Sequence, residues 1–178
     1  GKTPSGEIVF SASSFHMPVV RAFDTIGNAD RVVLTREAAL AAKAVSPEVT
    51  QVVASYFDLV QRVTIVSSDG VFAYDERPRT RVAVQAVAMR EGEAQTGFEG
   101  PGCAGGFEVY KDRIDAAQAG HTAAEAAVTM LHAPDCPAGF VPVVINGGFG
   151  GVIFHEACGH SLEATAVGRG NSVFCGKL

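Results

Sequence analysis

Two imidazoles and a carboxylate fall within six residues late in this chain. They are His155, Glu156 and His160, in the run Phe154-His155-Glu156-Ala157-Cys158-Gly159-His160-Ser161-Leu162-Glu163. Neutral histidine nitrogens are good zinc ligands, and an adjacent carboxylate can serve as general base toward a metal-activated water. The familiar arrangement is His-Glu-x-x-His, which sets the histidines about 40° apart on one helical face. Here one more residue intervenes. On an ideal helix the two rings would stand roughly 140° apart, too far to share an ion. A single π turn would absorb the extra residue and realign them, and Gly159 makes such a distortion cheaper. Once aligned, His155 and His160 supply two ligands and Glu156 stands at the open position as base. A catalytic site of this kind also requires a third protein ligand. The competing reading is a pair of structural histidines with no metal. Cys158 falls on a different helical face from His155 and reads as a small buried apolar residue.

These residues need a helix and something to hold it. Residues 140–146 read as a buried strand, and Gly147-Gly148 leads into a helix beginning near Phe149. Upstream, residues 1–28 read as irregular. A helix follows from Thr35, taken as its N-cap, and stops before Pro47. Residues 49–57, 59–67, 71–74, 81–91 and 94–98 are short runs rich in β-branched side chains, bounded by turn signals. Asp69-Gly70 between two apolar runs is a hairpin signal. The stretch from Gly97 to Gly106 is glycine-rich but lacks the lysine and spacing of a phosphate-binding loop. Residues 114–132 return to helix, with Thr122 a candidate cap. The expected fold class is α+β: a bent antiparallel β-sheet flanked by α-helices.

Composition narrows the function. The chain has 178 residues, is 47% apolar and carries a net charge of −5, which excludes intrinsic disorder. No apolar run approaches the roughly 20 residues that cross a bilayer, so no membrane role is expected. The 14 Lys and Arg form no basic stripe, which argues against nucleic acid as partner. Four scattered cysteines without a Cys-x-x-Cys pair fit neither a disulfide framework nor a zinc ribbon, and point to a reduced, cytoplasmic setting.

Beyond the motif helix, several segments carry a resemblance. Gln61-Arg62-Val63 and Asp69-Gly70 precede Asp75-Glu76-Arg77-Pro78-Arg79-Thr80-Arg81. Gln95-Thr96-Gly97-Phe98-Glu99-Gly100-Pro101-Gly102 and Gly105-Gly106-Phe107-Glu108 follow, then Gly150-Gly151-Val152-Ile153 leading into the motif, and Ser172-Val173-Phe174 after it. Together, from about Ala29 to Leu178, the chain resembles the TldD/PmbA family of metalloproteases, historically called modulators of DNA gyrase. The resemblance implies a TldD-type member, because the PmbA-type (TldE) partner lacks the His-Glu-x-x-x-His motif. It implies that His155 and His160 bind zinc and that Glu156 is the catalytic carboxylate. It further implies unstructured peptide substrates and a homodimer, or a heterodimer with a TldE/PmbA-type subunit. On this reading residues 29–178 form the family's N-terminal domain, ending in the motif helix. The C-terminal domain, which supplies a cysteine as third zinc ligand, is absent, so this portion is expected to be inactive alone. Cys175 falls where the family carries a small residue and is not that ligand. Glu163-Ala164-Thr165 departs from the family's Glu-Gly-Asp.

Two functions compete. The first is a zinc-dependent metallopeptidase in which this portion supplies two ligands, the catalytic Glu and part of a peptide groove. The second is a non-catalytic peptide-binding or subunit-assembly module. Arg77, Arg79 and Arg81 alternate along a strand, either to meet a peptide carboxylate or as a solvated face. His16, His121 and His132 read as structural or surface residues.

Overall fold

The computed structural model describes residue 9 and residues 11–177. It divides into two compact units, Gly1–Pro134 and Asp135–Leu178.

The first unit is built on β2 (Val49–Val66) and β3 (Val71–Arg90), antiparallel along nearly their whole lengths. Strand β1 (Ser11–His16) pairs with β3 in parallel, while β4 (Glu93–Glu99) and β5 (Gly102–Ala104) pair with it antiparallel. The sheet is therefore mixed, and the α+β class stands. The irregular stretch expected over residues 1–28 contains β1, because one edge of β3 is open to it between Val71 and Glu76.

Each long strand runs through a break that the sequence suggests. Pro78 sits in the middle of β3, between the residues paired with β1 and those paired with β5. Its nitrogen occupies a gap in the ladder where no N–H is needed, so the strand continues. Its carbonyl still accepts from Gly105 N at 3.2 Å. The hairpin turn is where Asp69-Gly70 places it: Gly70 N donates to Ser67 O, and Gly70 has φ +88°.

Helices α1 (Asn28–Ala44) and α3 (Ala116–His132) cover the face on which Val82, Val84, Ala86 and Ala88 are buried. The opposite face shows Val53, Phe57, Leu59 and Phe98 to solvent. Helix α1 starts seven residues before Thr35, whose hydroxyl instead donates to Arg31 O within the helix. Helix α3 is capped by Asp115, which accepts from Gln118 N at 2.9 Å, so Thr122 is not the cap.

Packing here is close enough to need glycine. A Cβ on Gly120 would lie 2.0 Å from Ala38 O of α1, and one on Gly97 would lie 1.9 Å from Ala123 O of α3. Where α2 (Val109–Asp112) begins, Glu108 accepts from Arg21 N at 2.8 Å and Gly106 N at 2.9 Å. Thr80, 3% exposed, donates to Phe57 O and accepts from the Tyr110 hydroxyl, whose pKa burial pushes up to about 12.

The second unit carries no assigned strand among its described residues. Residues 140–146, expected as a buried strand, are not paired, and Phe140, Val143 and Val144 are exposed. A β-branched run forms a strand only where another backbone supplies its ladder, and none does so here. A 3₁₀ turn at Phe149–Gly151 opens the motif helix. The helix then continues as α4 (Val152–Phe154), a π turn (His155–Gly159), α5 (His160–Leu162) and, after a break, α6 (Ala164–Gly168).

Candidate metal centre

The extra residue between the two histidines is absorbed as the spacing requires. Residues His155–Gly159 form a π turn, one residue wider than an α turn, between short α segments. The imidazoles consequently stand on one side of the helix, with ring centroids 4.4 Å apart and planes at 72°. Donor atoms of His155, Glu156 and His160 all lie within 4.8 Å of one another, and all three side chains are exposed. Gly159 contributes less than expected. Its φ of −57° and ψ of −57° are open to any residue, and an added Cβ would meet nothing nearer than His155 Nδ1, at 3.6 Å.

The two nitrogens of His160 are differently engaged. Nδ1 lies 2.6 Å from Glu163 Oε1, while Nε2 faces Glu156 Oε2 at 3.7 Å. The bond to Glu163, then its charge, raises the His160 pKa above the ordinary histidine value; burial opposes this slightly and Glu156 adds to it. A carboxylate on Nδ1–H fixes the tautomer that leaves the Nε2 lone pair free, as in histidines that ligate metals. Glu163 lies outside the His-Glu-x-x-x-His motif. Its spacing of three from His160 on a helix was the available signal.

The residues fit a borderline-soft divalent ion such as zinc: two imidazole donors and one carboxylate on one helical side, with a partner behind one imidazole. His155 and His160 would hold the ion, with Glu156 beside it, and all three side chains are exposed and free to draw together on loading. Cys158, expected to be buried, is exposed within the π turn, and Cys175 donates to Val167 O.

The remaining candidates other than Arg79, which lies on β3 opposite Leu59, are engaged locally. Arg77 pairs with Asp75, and Arg81 donates to Gly100 O and lies over Phe98. Gly97 and Gly102 serve packing and pairing in β4 and β5. His132 Nε2 meets Glu48 at 2.8 Å and its Nδ1 meets Arg90; His16 packs at a tilt against Tyr74, and His121 approaches Glu125.

Comparison with known proteins adds the following. The family model of the PmbA/TldA metallopeptidase central domain matches residues 21–131. A metalloprotease TldD homolog of Haemophilus influenzae is 36% identical over 77% of this chain. A metalloprotease of Methanothermobacter thermautotrophicus is 33% identical over 70% of it. The chain spans 29% and 27% of the lengths of these two relatives. Among solved structures, a modulator of a DNA gyrase from Thermotoga maritima aligns over 97% of this chain and 39% of its own, with TM-score 0.75 and 19% identity, a likeness of fold. The match describes residues 21–131 as a central domain, whereas the sequence alone suggested an irregular segment over 1–28 and an N-terminal domain over 29–178.

Proposed function

The chain belongs to the PmbA/TldD metallopeptidase family, and on that premise we propose that it is part of a zinc peptidase acting on unstructured peptides. His155 and His160 are its zinc ligands and Glu156 its catalytic carboxylate. The observation that carries this reading is the π turn, which gathers the two imidazoles and Glu156 although their spacing would scatter them on an α-helix. A zinc ion held there supplies Lewis-acid polarisation of a peptide carbonyl and a water of lowered pKa. Glu156, exposed beside the imidazoles, takes the proton from the attacking water and returns it to the leaving amine. Glu163 positions His160 through its bond to Nδ1. A further ligand completes a catalytic zinc site, which normally has three from protein; the family resemblance assigns that role to a cysteine of the domain that follows. The peptidase works in the cytoplasm as a homodimer, or with a TldE/PmbA-type subunit.

The test is Glu156→Gln in a protein of the relatives' full length. Zinc content should be retained while cleavage of an unfolded peptide falls by at least about a hundredfold. Cleavage unchanged by this substitution would leave the chain as a binding or assembly module.

A further inference from the structure

Among the described residues, β2 lies at one side of the sheet. Its 18 residues pair with β3 along one edge, and no described strand pairs with the other. Helix α1 packs against β2, and its Arg31 reaches Asp58 on the inner face. The direction of the free groups follows from β3. Val82 N donates to Pro101 O and Pro78 O accepts from Gly105 N, so even-numbered residues of β3 point away from β2. Val60 stands opposite Pro78 and Asp58 opposite Thr80, so even-numbered residues of β2 turn their N–H and C=O groups outward. Exposed edges are normally blunted by lysine, proline or a bulge. From Val52 to Val66 this one has no lysine, proline, glycine or bulge, and two charged residues, Asp58 and Arg62.

We propose that this edge pairs antiparallel with the same edge of a second copy of the chain, about a two-fold axis at Val60. That axis sets Asp58 opposite Arg62 of the second copy, and Arg62 opposite its Asp58. An axis at Asp58 or at Arg62 would set like charges face to face, and one at Leu59 or Gln61 would leave both charges against uncharged residues. Val60 is itself outward-facing, so the ladder closes in phase on both sides of the axis. The charges already have partners that extend the pattern: Arg31 holds Asp58 at 2.9 Å and Glu76 holds Arg62 at 3.0 Å. Across the seam the order becomes Arg31, Asp58, Arg62, Glu76, alternating in sign. On the outer face the same axis sets the exposed Phe57 against Val63 of the second copy. An isologous contact of this kind is self-closing, so it stops at two copies.

This inference rests on the expectation of a second, identical subunit and not on the metal site. Its test is sedimentation equilibrium of the full chain, with Val60→Pro and Arg62→Glu. Proline at an edge position with an outward N–H is tolerated in the monomer but removes both axial ladder bonds. Arg62 is two-thirds exposed and outside the core, so its replacement by Glu leaves the core packing intact, although it also faces Glu76 of its own chain, while opposing Asp58 of the second copy. The wild type should be a dimer, and each variant should weaken it about tenfold or more with unchanged far-UV circular dichroism. A dimer weakened by neither variant overturns the β2 seam while leaving a second subunit in place. A wild type that stays monomeric at about 100 μM overturns both.

Discussion

Glu163 Oε1 lies 2.6 Å from His160 Nδ1, at the residue where the motif helix ends. Glu163 has φ −59° and ψ 132°, so the backbone leaves the helix there while its carboxylate stays on the ring of the last turn. The bond presents the other nitrogen of that ring toward Glu156. Removing the carboxylate in Glu163→Ala should lower zinc affinity about tenfold to a hundredfold, as loss of such supporting partners does. Competition with a chromophoric chelator measures this, and an unchanged affinity would show that Glu163 does not position the ring.

The π turn makes a prediction about length. Deleting Ala157 leaves His-Glu-x-x-His, which an ordinary α-helix already aligns to within about 40°. Zinc affinity should then survive to within about tenfold. Inserting one alanine after Ala157 turns the second histidine a further 100° or so, and affinity should fall about a hundredfold. Equal binding by both length variants would mean that the helical phase of the histidines is irrelevant.

Gly159→Ala should leave zinc uptake within about threefold of the wild type, since the backbone there is helical and the added methyl meets only ordinary contact. A large loss on chelator competition would indicate that the turn needs glycine when loaded.

Gly97→Ala and Gly120→Ala should each destabilise the first unit by about 2 kcal/mol or more. Their new Cβ atoms would meet backbone, Ala123 O at 1.9 Å and Ala38 O at 2.0 Å, which cannot rotate aside. Urea melts report this directly. A midpoint within error of the wild type would mean that α3 is not seated as closely on β4 and α1 as described.

Glu108 carries a pH dependence. Burial pushes its carboxyl up, but backbone N–H groups of Arg21, Glu108 itself, Gly106 and Val20 outweigh it and hold the pKa below the usual value. A lowered folded pKa means that the ionised group stabilises the fold above the ordinary carboxylate range, and that this contribution is lost as pH falls through the lowered value. Glu108→Gln should therefore cost about 1 kcal/mol near pH 7, with the gap to the wild type closing below about pH 4. Urea melts across that range check it; a gap independent of pH would assign the loss to shape rather than charge.

How much of this was legible in the sequence depended on whether the cause was local. The π turn followed from the count of residues between two histidines. The hairpin at Asp69-Gly70 followed from turn chemistry, and the α+β class from the alternation of β-branched runs with alanine-rich ones. Pro78 was harder to read, because a proline mid-strand is tolerated only where the ladder has a gap, and that gap exists only once β1 and β5 have docked. Strand β1 was missed for the same reason: Ser11–His16 has little strand character without the edge of β3. Residues 140–146 failed in the opposite sense, having strand composition and no partner. Thr35 looked like a cap because its type suits one, yet in mid-helix the same hydroxyl bonds to Arg31 O.

The central claim is that His155 and His160 hold zinc. Its most direct test is zinc per chain by plasma mass spectrometry, on this chain and on a version extended to its relatives' length, each with and without His155→Ala and His160→Ala. The account predicts about one zinc per extended chain, lost when either histidine is replaced. Zinc in neither form, or zinc indifferent to both substitutions, would contradict it.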